Sequence, residues 1–125
     1  MFLSVFAYSV YGQAISVNAA KKQLRGTWLS NGDSTCELLI TADSITTFRF
    51  RLNGVSRCSY SLSSQPCEKV VKFPASTGIY LAEKYNHKTL CYAMAAISST
   101  AIKIIYPNGN EVVYKNESVF LNEAK

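Results

Sequence analysis

The fold class this sequence predicts is all-β: a small antiparallel up-and-down barrel of about eight strands, with a β-sandwich as the alternative. Three observations lead there. Eight Tyr, six Phe and many Val, Ile, Ser and Thr are the residue types that fit a pleated, half-buried surface. Short alternating apolar and polar runs recur between turn signals. No segment has the length and helical spacing of a βαβ crossover, so the strands must close or stack to hide their edges.

The elements follow in order. Arg25 to Ser30 is a first strand, ended by Asn31-Gly32-Asp33, and Cys36 to Thr41 is a second, ended by Ala42-Asp43-Ser44. Ile45 to Leu52 alternates, with Phe48, Phe50 and Leu52 expected on one face and Arg49 and Arg51 on the other. Asn53-Gly54 is a strong hairpin signal. Val55 to Leu62 repeats the alternation, with Cys58, Tyr60 and Leu62 on one face. Lys69 to Phe73 is a fifth strand, stopped by Pro74, and Gly78 to Ala82 is a sixth strand or a helical turn running to Tyr85. Lys88 to Met94, Ala101 to Tyr106 and Glu111 to Lys115 complete the series, with a turn at Pro107-Asn108-Gly109-Asn110 and a tail from Ser118. Arg, Ser and Thr on alternate positions mean that each strand is wet on one side.

The chain has 125 residues, one domain by length. With 48% apolar and 17% charged residues, it is too apolar for disorder. The formal charge is +5, but the basic residues are spread from Lys21 to Lys125 without a dense run, which reads as a solvated face.

Residues 1–19 carry no charge, and Phe2 to Gly12 is an apolar stretch too short to span a bilayer. They are expected to be a secretory signal peptide cleaved at Val17-Asn18-Ala19, leaving one barrel domain over residues 20–125. Gly12-Gln13-Ala14 is a second cleavage candidate. The start lacks the usual Lys or Arg, and the other reading is an apolar strand or short helix packed on the domain. No stable membrane span is expected. The address is then secreted, or periplasmic if the source is bacterial.

Cys36, Cys58, Cys67 and Cys91 agree with export. They are four, spaced by 22, 9 and 24 positions, with no CxxC, and a single His87 does not complete a zinc set. Two disulfides are expected. Four cysteines allow three pairings, and Cys36–Cys58 with Cys67–Cys91 is preferred on strand proximity; four free thiols in a cytosolic protein is the alternative. Asn116-Glu117-Ser118 is an N-glycosylation sequon, marking Asn116 if the source is a eukaryote.

The tryptophan of this chain sits in Leu24-Arg25-Gly26-Thr27-Trp28. A Gly-x-Trp at the head of the first strand resembles the opening of the calycins, the group of lipocalins, fatty-acid-binding proteins and avidins. The stretch from Gly26-Thr27-Trp28 through Gly32-x-Ser34 to Ile40-Thr41-Ala42 is also similar to the avidin start. The resemblance implies that Gly26 lets the chain turn into the first strand and that Trp28 closes one barrel end. It also implies that a basic side chain of the last strand, Lys115 or else Lys103, lies across the indole as a cation–π partner. It implies a ligand inside the barrel. Avidins line their biotin pocket with several tryptophans, and this chain has one.

Catalysis finds little support. A lone His87 in the turn Tyr85-Asn86-His87-Lys88 has no nucleophile context, and the eight acids are placed in turns or at strand ends, away from apolar strand surroundings. No catalytic residue, metal or cofactor is expected, and the chain is not expected to be an enzyme. Nucleic acid is not an expected partner, because alternation separates Phe48 and Phe50 from Arg49 and Arg51, which denies them one stacking platform.

Two functions remain. The first is a secreted carrier of a small apolar or amphipathic ligand, with a wall of Phe48, Phe50, Tyr60, Leu62, Tyr92, Met94, Ile102 and Ile104. The second is a secreted interaction module, an inhibitor or effector with a filled core, that binds an extracellular protein through Tyr80, Tyr85, Arg49, Arg51 or Arg57. A cavity of about 300 Å³ or more would favour the carrier.

Overall fold

A computed structural model of the chain describes residues 14–30, 36–49, 54–67 and 74–118. Eight antiparallel strands close in chain order: β1 (Gly26–Ser30), β2 (Cys36–Ile40), β3 (Ser44–Arg49), β4 (Gly54–Ser63), β5 (Tyr80–Tyr85), β6 (Lys88–Ile97), β7 (Ala101–Ile105) and β8 (Glu111–Asn116). β8 pairs back onto β1 through Trp28 and Asn116, Leu29 and Lys115, and Ser30 and Tyr114. The protein is thus a closed up-and-down barrel, and closure removes both sheet edges.

The turn signals act where expected. Thr41 N–H donates to the Ser44 carbonyl at 2.9 Å to make the β2–β3 turn. Tyr106 and Asn110 close the β7–β8 turn at 2.8 Å, with Gly109 at φ +92°. Arg49 pairs with Gly54, so the hairpin marked by Asn53-Gly54 joins β3 and β4. The expected strand Lys69 to Phe73 lies outside the described residues. Of Gly78 to Ala82, Tyr80 to Ala82 form the start of a strand that runs on to Tyr85.

A helix, α1 (Val17–Leu24), precedes the barrel. Ser16 caps it, its side chain accepting from Ala19 N–H at 3.1 Å. Ile15 N–H donates to the Thr77 carbonyl at 3.1 Å, and Ala20 and Leu24 are buried in the core. The expected cleavage after Ala19 falls inside this helix, whereas a cut after Ala14 leaves it whole. Gly26, at φ +140°, makes the bend from helix to strand that a side chain would strain. Trp28 is 1% exposed, and its indole N–H donates to the Leu24 carbonyl at 2.8 Å. That bond pins the last turn of α1 across the barrel end where β1 begins.

Three expectations need correction. Lys115 does not share a face with Trp28. It lies across from Leu29 and Ala101, and residues adjacent along a strand point to opposite faces. Lys103 pairs instead with Glu111 at 3.4 Å. The partner of the Trp28 indole N–H is a helix carbonyl.

The second correction concerns the cysteines. Cys67–Cys91 is a disulfide, with Cα atoms 5.9 Å apart, but Cys36 and Cys58 are free thiols. Cys36 pairs with Arg49 and Cys58 with Ile45, on opposite edges of β3. Two strand spacings of about 4.8 Å and four residues at about 3.3 Å each separate them, well past the roughly 7 Å that a disulfide tolerates.

The third is the phase of β3. Ile45, Thr47 and Arg49 face the interior, and Phe48, half-buried, stands across from Glu37 and Val55 on the outer face. The run offers apolar residues at both parities, Ile45 against Phe48. One parity alone can face the core. Ile45, 2% exposed and paired with Ile40 and Cys58, takes the inside. Phe50 and Arg51 lie outside the described residues.

Candidate functional site

The barrel encloses a cavity of about 600 Å³. Strand direction gives it two ends. Near α1 the lining is apolar: Leu24, Ile40, Ile45, Leu81, Met94 and Ile102. At the far end stand Cys36, Arg49, Tyr85 and Tyr106, with Pro107, Asn108 and Asn110 of the β7–β8 turn at the mouth. Thr47, Glu83, Tyr92, Ile104 and Tyr114 lie between.

Of the residues expected to form the wall, Tyr60, Tyr92, Met94, Ile102 and Ile104 line this cavity. Leu62 packs against the core cluster. The Tyr60 ring lines the cavity, but its hydroxyl leaves it, donating to the Thr41 carbonyl at 2.7 Å. Arg49, expected outside, faces the mouth and donates to Ser56 Oγ at 3.4 Å. Tyr80 is buried and accepts from Ala75 N–H at 3.2 Å, and Tyr85 belongs to the cavity, so neither is an outer anchor. Arg57 is exposed on the outer face, as is His87 in the β5–β6 turn. Asn116 is half-buried, and its side-chain oxygen accepts from Ser118 N–H and Oγ at 3.1 and 2.7 Å.

The polar core of the site is Glu83, which was expected in a turn. It sits within β5, is 9% exposed, and points into the barrel. Tyr92 donates to its Oε1 at 2.6 Å and Tyr85 to the same oxygen at 3.5 Å. The alternation Leu81, Glu83, Tyr85 carries the signal for this placement, once the strand is taken past Ala82.

Around Glu83 the tyrosines form a connected belt. The rings of Tyr92 and Tyr106 meet edge to face with centroids 5.0 Å apart. The Tyr106 and Tyr114 hydroxyls are 3.2 Å apart, and Cys36 Sγ lies 4.0 Å from Tyr114 Oη. Burial, and then the Glu83 charge, pushes the Tyr85 phenol up to about 12. Burial and the hydrogen bond to Glu83 raise Tyr92 further. Tyr114 is raised by burial and by Tyr106, and Tyr106 by burial. Burial and the nearby carboxylate also raise the Cys58 thiol. At neutral pH Tyr85, Tyr92, Tyr106 and Tyr114 are therefore neutral hydroxyls and Cys58 a neutral thiol, able both to donate and to accept.

No protein-family model matches this chain, and no curated protein or solved structure matches it. The chemistry of the site thus rests on its own geometry: an apolar pocket closed at one end, with a carboxylate and a tyrosine belt toward the mouth. Among the described residues no helix is long and apolar enough to cross a membrane, and the Cys67–Cys91 disulfide is compatible with an oxidising, extracellular setting.

Proposed function

We propose that this protein is a secreted, calycin-like barrel that carries one small amphipathic molecule inside. The observation that carries the reading is the cavity of about 600 Å³, which falls in the range of ligand pockets, about 300–1,000 Å³. Its apolar end accepts a hydrocarbon or aromatic portion, and its tyrosine belt offers hydrogen bonds to a polar one. A filled core would have favoured an interaction module, so the open interior argues for the carrier. Gly26 and Trp28 at the head of β1 support kinship with calycins. Export with cleavage after Ala14 keeps the Ser16 cap and all of α1, so the mature chain begins at Ile15.

Uptake of Nile red, an uncharged polarity-sensitive dye, tests the reading. Wild type is expected to bind it saturably. Ile104→Trp, which fills the space between mouth and floor, is expected to weaken uptake severalfold. Absence of both dye uptake and any co-purified small molecule in native mass spectrometry would refute the carrier and turn attention to the outer face of β2–β4, where Val55 is 66% exposed.

A further inference from the structure

Resting on the carrier reading, we propose that the bound molecule bears an organic ammonium group, seated on the Glu83 carboxylate beside the rings of Tyr85, Tyr92 and Tyr106. The argument begins with the cost of the carboxylate. A buried charge is unfavourable unless it is paired and hydrogen-bonded. Both tyrosine bonds fall on Oε1, and Oε2 takes neither. The Lys103–Glu111 ion pair is on the outer wall, and among the described residues Glu83 has hydrogen bonds but no ion-pair partner.

A ligand cation supplies what is missing. An ammonium N–H on a carboxylate makes a charge-assisted hydrogen bond, stronger inside the barrel than in water because the surroundings polarise less. Tyrosine faces attract cations through the ring quadrupole, and aromatic cages use this for ammonium ligands. The tyrosine hydroxyls accept the remaining ammonium protons. The molecule's apolar portion then lies toward Ile45, Leu81, Met94 and Ile102.

The opposite charge fits less well. An anion at this depth would face Glu83. It would have Arg49 as partner, but Arg49 is exposed at the rim, where ion pairs are weak. The formal charge of +5 opposes a cation at long range, but salt screens that field beyond about 8 Å, and Glu83 acts at contact.

The test displaces Nile red with three ligands that share one tail: octylammonium, octan-1-ol and octanoate. Wild type is expected to prefer octylammonium over octan-1-ol by about tenfold or more. Glu83→Gln keeps the shape and removes the charge, and is expected to bring that preference close to parity. Arg57→Ala, on the outer face, keeps it. The wild-type comparison decides the matter even if Glu83→Gln does not fold, and Tyr85→Phe, which keeps the ring, provides a second variant expected to reduce the preference. If octan-1-ol or octanoate competes as well as octylammonium, the ammonium inference is overturned while the carrier reading stands. If wild type takes up no dye and none of the three ligands binds by calorimetry, the carrier reading fails and the inference falls with it.

Discussion

Trp28→Ala tests whether the indole holds helix and barrel together. Burying an indole removes about 150–250 Å² from water, worth roughly 4–6 kcal/mol at about 25 cal/mol per Å². A compact denatured chain already hides part of that area, lowering the figure by roughly 10–40%. The expected loss is therefore about 3–5 kcal/mol, the range of large aromatic truncations in cores. Part of it is the bond to the Leu24 carbonyl. Trp28→Phe keeps a ring but leaves that carbonyl without its donor, and is expected to cost about 1–3 kcal/mol. The assay is urea unfolding followed by far-UV circular dichroism. Fluorescence is unsuitable, because each variant lacks the one tryptophan of the chain. A loss below about 1 kcal/mol for Trp28→Ala, far short of a core truncation, would show that the indole does not pin α1 to the barrel.

Three further outcomes are expected. Thiol titration of the denatured, unreduced protein should count two thiols per chain, Cys36 and Cys58, with half-buried Cys36 reacting ahead of Cys58 in the native state; a count of zero would restore the Cys36–Cys58 bridge. Removing the other bridge by Cys67→Ser with Cys91→Ser opens a loop of 24 residues and should cost about 3–4 kcal/mol by the chain-entropy relation. The tyrosine belt makes the fold sensitive to alkali. Tyr85 is raised from 10 to about 12, so its contribution is complete below pH 10 and is lost as pH rises through about 12. Native protein should show phenolate absorbance lagging behind urea-unfolded chain, with near-UV dichroism collapsing as the lag disappears. Eight tyrosines titrating together near pH 10 with the fold intact would contradict the buried belt.

Much of the architecture was legible because turns and alternation are local signals. Asn53-Gly54 and Pro107 to Asn110 marked hairpins, and Cys58, Tyr60 and Leu62 gave the inner face of β4. What failed required long-range information. The phase of β3 was ambiguous because Ile45 and Phe48 are both apolar and of opposite parity; pairing with Ile40 and Cys58 decided it. The Cys36–Cys58 pairing failed because closeness in strand order says nothing about height along the barrel. A short helix packed on the domain stood only as the second reading of residues 1–19, because Val17, Ala20 and Leu24 give only two turns of pattern, next to an apolar leader-like stretch. Glu83 was missed because a carboxylate was taken to end a strand, although Leu81 and Tyr85 on either side already set its face.

That last residue bears on why the interior is built as it is. A barrel selected for stability alone would place a branched aliphatic at position 83 and phenylalanine at 92 and 106, since replacing buried polar groups by apolar ones of similar shape is often neutral or stabilising. Here the floor follows that rule, with Ile45, Leu81, Met94 and Ile102. The middle breaks it with Glu83, Tyr92 and Tyr114, in a chain where strand patterning, turn chemistry and closure otherwise agree. Sequences that are consistent across levels tend to depart from them where function requires it. The departure is confined to one region, connected through hydroxyls and one carboxylate, and adjoins the open mouth. Those are the properties that the proposed ligand site requires of a group meeting a partner from solvent.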